Sequence, residues 1–78
     1  MRITLKLFAT FRRYLPPDSQ GDACPLEVPA GTLVAEVLDR FDVPTGGSVI
    51  LVNGRTAEPG QVLREGDVVA VFPAMAGG

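Results

Sequence analysis

One segment of this chain carries a sustained helical stripe, and it lies mid-chain between runs that read as strands. Val34, Val37, Leu38 and Phe41 recur at i, i+3, i+4 and i+7, which places them on one face of an α-helix. Thr32 stands where an N-cap is expected. Glu36 and Arg40 face outward at the i, i+4 spacing that favours an ion pair. A lone helix of this length has an apolar face and no second long helix to bury it against. It needs a sheet.

The flanking residues supply one. Ile3, Leu5 and Leu7 alternate with Thr4 and Lys6, the period of a half-buried strand. Residues 9–15 allow a short helical turn, which Pro16-Pro17 stops. Residues 16–23 are loop by composition, and residues 24–29 give a second strand with Leu26 and Val28 on one face. Past the helix, residues 49–52 (Val-Ile-Leu-Val) form a continuous apolar run that predicts a central strand buried on both faces. Asn53-Gly54 is a strong hairpin signal, because both residues tolerate positive φ. Residues 55–67 are rich in turns, with Val62 and Leu63 as their apolar anchors. Residues 68–72 form the last strand, ended by Pro73. With no long helix between them, the first two strands should form a hairpin. The helix then crosses the sheet and the late strands return beside it. The expected fold is therefore α+β, a β-grasp (ubiquitin-like) arrangement. It has a mixed sheet of four to five strands with one main helix packed across it. Residues 1–73 form the domain and residues 74–78 a C-terminal tail.

Composition narrows the chemistry. The chain has 78 residues, no His and one Cys, Cys24. That excludes His-based acid–base catalysis, His/Cys zinc sites and any intrachain disulfide. A domain this small buries only roughly 60–65% of its unfolded surface, which leaves little room for a cofactor cavity. The formal net charge is −2 and no basic cluster exceeds Arg12-Arg13, so no nucleic-acid footprint is present. No run approaches the ~20 apolar residues of a membrane span. With no signal-peptide pattern and an unpaired thiol, the expected compartment is the cytoplasm. Cys24 reads as a semi-buried small residue, since no His or Lys lies near it in sequence to activate the thiol. Asp67 reads as a turn or capping residue, Gly46-Gly47 as a connection and Arg12-Arg13 as a solvated face.

Gly77-Gly78 differs in kind, because it follows the last strand at the end of the sequence. Two glycines cannot pack and cost folding entropy. A tail without side chains can enter a narrow channel in a partner, and its last carboxylate has no Cβ to hinder a reagent. Fully extended, residues 74–78 reach roughly 16–18 Å. That is enough to deliver the Gly78 carboxylate into another protein's active site. The alternative is a frayed end.

Several motifs agree with this. Leu7-Phe8-Ala9 with Arg12, then Val52-Asn53-Gly54-Arg55, and above all Leu63-Arg64-Glu65-Gly66-Asp67 through Phe72-Pro73 to Gly77-Gly78 resemble the MoaD/ThiS family of ubiquitin-like sulfur carriers. Within it, the chain is most similar to the small subunits of molybdopterin synthase. The resemblance implies a non-catalytic carrier. An E1-like adenylating enzyme, using ATP and Mg²⁺, would activate the Gly78 carboxylate. A sulfur donor would convert it to a thiocarboxylate, and a large synthase subunit would use the sulfur to build the dithiolene of molybdopterin. No cofactor would be held permanently. Ala76 and Gly77 would line the tail with Met75, which adds adaptable contact area. Phe72, Leu63 and Pro73 match positions of partner contact. Two departures leave the pathway open: Pro73 is followed by Ala74 where these small subunits have a second proline, and Arg13 replaces a glutamate. A sulfur carrier for the thiamine thiazole, cysteine or another metabolite remains an alternative. So does a β-grasp binding module or a protein modifier joined to lysines through Gly78.

Overall fold

The computed structural model describes residues 1–17, 19–44 and 46–74. Five strands and one α-helix follow in the order β1 (Arg2–Leu7), β2 (Ala23–Glu27), α1 (Val34–Arg40), β3 (Ser48–Val52), β4 (Arg55–Thr56) and β5 (Val68–Pro73). A short 3-10 helix, Ala9–Tyr14, follows β1. The sheet order is β2-β1-β5-β3-β4. β1 and β5 run parallel, and the remaining pairs are antiparallel. This is the β-grasp arrangement expected from the element order, with the last strand at the centre.

The alternation in β1 does what its period requires. Ile3, Leu5 and Leu7 point into a core shared with Val69 and Val71 of β5, Ile50 and Val52 of β3, and Val34, Val37 and Leu38 of α1. Phe41, the fourth member of the helical stripe, is only partly buried and packs at the edge of that core, with Arg40 lying over its ring at 5.5 Å. Asn53 and Gly54 both adopt positive φ (53° and 83°), the geometry of a two-residue hairpin turn between β3 and β4.

Four expectations are corrected. β3 is not buried on both faces: Ile50 and Val52 face the core, while Val49 is 45% exposed. The helix is not capped by Thr32. Its N-cap is Leu33, whose N–H donates to Glu36 Oε1 at 2.8 Å, while the Thr32 hydroxyl donates to the Pro29 carbonyl at 2.7 Å. The carbonyls of Gln61 and Pro59 accept from the Val34 and Ala35 N–H groups. A loop some 25 residues downstream thus satisfies donors that a helix start leaves open, at 3.0 and 2.8 Å. Glu36 is consequently turned to its own helix start, so the expected pair with Arg40 does not form. Val62, expected as an apolar anchor beside Leu63, is 53% exposed.

Candidate functional site

The candidate site lies where β5 leaves the sheet, and alternation within the strands builds it. The residues of β1, β3 and β5 that face away from α1 are Arg2, Thr4, Lys6, Val49, Leu51, Val68, Ala70 and Phe72. In the register, Val49 sits opposite Phe72, Leu51 opposite Ala70, and Lys6 beside Ala70. Phe8, just past β1, stacks on Phe72 with ring centroids 4.4 Å apart and planes within 5° of parallel. The N–H of Phe8 donates to the Val71 carbonyl at 3.2 Å, which holds the first ring over the second. The outer face is thus apolar at this end, and no element among the described residues covers it. An aromatic pair beside an exposed valine offers contact area at low entropic cost, which suits protein recognition.

Pro73 closes β5 opposite Ser48. Proline is tolerated there because a strand end can forgo one ladder donor. Ala74, expected as the first tail residue, still donates its N–H to the Gly47 carbonyl at 3.0 Å, and Gly47 takes φ +75° to present it. The chain is therefore tied to the sheet through residue 74. Met75, Ala76, Gly77 and Gly78 lie outside the described residues.

Of the three side chains matched to partner contact, Phe72 lies half-buried at the outer face, and Pro73, also half-buried, follows it at the strand end in the phase of Val69 and Val71. Leu63 does not join them. It is 2% exposed in the core, where its N–H donates to the Thr32 carbonyl, so it offers almost no surface to a partner. Sequence reasoning gave no site role to Val49, Leu51 or Ala70, and Phe8 entered only as part of the Leu7-Phe8-Ala9 motif. An aromatic at position 8, in phase with Thr4 and Lys6 rather than with the core, is the signal that points to Phe8.

The Gly66-Asp67 pair of the motif proves to be scaffolding. Gly66 adopts φ +83° and donates its N–H to the Arg2 carbonyl at 2.8 Å. Asp67 accepts from the Arg64 N–H through Oδ2 at 2.8 Å and from Asn53 Nδ2 through Oδ1 at 2.9 Å. Asn53 Oδ1 accepts in turn from the Val68 N–H at 2.9 Å. The two motif turns, Asn53-Gly54 and Gly66-Asp67, thereby clamp each other at the start of β5 and fix the register that carries Phe72 to the outer face.

Cys24 is buried, its thiol directed at the Pro25 carbonyl at 3.6 Å. Arg12 pairs with Asp22 at 2.8 Å and Arg13 lies over the Tyr14 ring. Among the described residues, no group of three or more His, Cys, Asp or Glu side chains is placed to hold a metal. No helix among them is long and apolar enough to cross a membrane.

Comparison with known proteins places this geometry. SAMP1 of Haloferax volcanii superposes with a TM-score of 0.77 at 22% identity, covering 100% of each chain. A Pyrococcus furiosus protein described as molybdopterin converting factor subunit 1 superposes with a TM-score of 0.71 at 27% identity, over 95% of this chain and 98% of that one. The complex of subunits 1 and 2 of molybdopterin-converting factor from Helicobacter pylori contains the same fold, with a TM-score of 0.63 at 15% identity and 100% coverage of both chains. No curated protein matches the chain. The ThiS family profile matches residues 5–78, nearly the whole sequence and including Gly77-Gly78. With that match and with the β-grasp fold of the ubiquitin-like sulfur carriers, the chain belongs to the ThiS family.

Proposed function

We propose that this protein carries sulfur on the carboxyl group of Gly78 and delivers it for molybdopterin synthesis. The supporting observation is that the family match runs through Gly77-Gly78, directly beyond the strand whose outer face carries the Phe8–Phe72 stack. A carboxylate is a poor electrophile. An E1-like enzyme holding ATP and Mg²⁺ would let the Gly78 carboxylate attack the α-phosphorus, with pyrophosphate leaving. Sulfide (HS⁻) released by the donor would then attack the acyl carbon and lose its proton to water. The C–O bond to AMP breaks, AMP leaves, and a thiocarboxylate remains. Its sulfur is the nucleophile that a large synthase subunit would present to the pterin precursor. The protein supplies neither activation itself: it has no His, and its one thiol is buried. Its own contribution is to be gripped at Phe72, Pro73 and Phe8 while Met75, Ala76 and Gly77 thread Gly78 into each partner. The Pyrococcus furiosus likeness favours molybdopterin as the product, and the Helicobacter pylori complex offers a fold-level parallel for a large-subunit partner.

Adding one alanine after Gly78 tests the tail chemistry. The extended protein should keep its fold and lose sulfur transfer, because the reacting carboxyl group moves and gains a side chain. Sulfur donation by extended protein that mass spectrometry shows to be untrimmed would contradict the reading. Co-purification with a thiazole-forming rather than a molybdopterin-forming subunit would move the product to thiamine. Amide links to lysines of other proteins would favour a modifier, the role that SAMP1 carries in its name of small archaeal modifier protein.

A further inference from the structure

A second surface lies at the opposite end of β5 from Phe72. β4, the end of β3 and the loop returning to β5 enclose an open groove of about 860 Å³. It is lined by Arg55, Thr56, Gln61, Val62 and Arg64, together with the Asn53–Asp67 clamp and Val52. The groove is rich in free donors. Arg55 and Arg64 have no ion-pair partner among the described residues. The side chains of Thr56 and Gln61 make no hydrogen bond there either. Its one carboxylate, Asp67, has both oxygens occupied by the Arg64 N–H and Asn53 Nδ2. The nearby Glu65 carboxylate is turned away to the Arg2 N–H, and Glu58 does not line the groove. Val62, 53% exposed, supplies an apolar foothold in the same groove. On a chain of net charge −2, two guanidiniums against the single Asp67 carboxylate leave this groove with a local excess of positive charge.

We infer that this groove docks an acidic extended segment of a partner protein, with carboxylates on Arg55 and Arg64 and an apolar side chain on Val62. Charge complementarity selects the occupant. Two planar guanidiniums match carboxylates, and the unpaired Gln61 and Thr56 can meet a peptide backbone. The groove lies one strand length, about 17 Å, from the Phe8–Phe72 stack. A partner holding the tail end therefore leaves it open, and both surfaces can be engaged at once. The inference does not depend on the chemistry proposed for Gly78.

The test is an NMR titration of the isotope-labelled full chain with a capped peptide of one leucine flanked on each side by two glutamates. Amide shifts should gather at Arg55, Thr56 and residues 61–64, leave Phe8 and Phe72 unmoved, and weaken with added salt. The double variant R55Q/R64Q should stay folded by its amide spectrum and bind roughly tenfold more weakly. The variant R12Q/R13Q should bind as the parent does. Absence of shifts at millimolar peptide would overturn the proposal. So would equal binding of the glutamine version of the peptide, or shifts centred on Arg12 and Arg13. The same shifts with inorganic phosphate alone would reassign the groove to a small anion and also overturn it.

Discussion

The two faces of the sheet are made by alternate residues of the same strands, yet they have different work. The inner face, with Leu5, Leu7, Val69 and Val71 at 0% exposure, is closed by α1. The outer face carries Val49, Leu51, Ala70 and Phe72 and is covered by nothing among the described residues. Apolar side chains on both faces show that hydrophobicity alone does not mark the core of this protein. On one side it stabilises the fold. On the other it lies open beside the point where the tail departs. Under the function proposed above, partners would hold the domain by this second apolar face.

Substitutions can break that contrast, and the largest effect should come from the inner face. Leu5→Ala and Leu63→Ala should each cost about 2–5 kcal/mol of stability, read as a lowered denaturant midpoint. For Leu63 the comparison is sharp. A stable Leu63→Ala protein with weakened partner binding would mean that the side chain lies on the docking surface and not in the core. Next comes Phe72→Ala, which should weaken affinity for the partners proposed above, an activating enzyme or a large synthase subunit, by about 1–3 kcal/mol. Its cost in stability should be smaller, about 0.5–1.5 kcal/mol for the lost stack on Phe8. Calorimetric binding and thermal melts on one preparation separate the two. A large melting shift with unchanged affinity would place Phe72 with the core. The smallest effect should be that of Asn53→Ala, which breaks the clamp to Asp67 and Val68 and costs about 1–2 kcal/mol. Affinity at the Phe72 end should hold, since the clamp lies at the other end of β5. A matching loss of affinity would show that the clamp sets the docking face as well as the fold.

Much of the architecture was legible in local patterns. The period of residues 3–7, the stripe from Val34 to Leu38 and the Asn53-Gly54 turn each rest on neighbours within a few positions, and each appears where expected. What could not be read depends on residues far apart in sequence. The helix start is satisfied by Pro59 and Gln61 carbonyls, so Thr32 is free to bond Pro29 instead. The run Val49–Val52 reads as doubly buried because its outward residues are apolar, and only the sheet order shows that their side stays open. Leu63 and Phe72 belong to one motif, but turn geometry sends the first inward and strand phase sends the second outward. Phe8 was visible as a motif letter, and its role emerged only when parallel pairing of β1 with β5 brought its ring over Phe72.

The central claim is that the Gly78 carboxyl group is the sulfur-bearing atom set, and intact mass spectrometry tests it most directly. The full chain would be co-expressed with an E1-like activating enzyme and a sulfur donor, then weighed whole. The expected result is replacement of one oxygen by one sulfur, located to Gly78 by fragmentation and lost when Gly78 is deleted. An unmodified C-terminus under those conditions, with the activating enzyme shown to be active on another carrier, would contradict it.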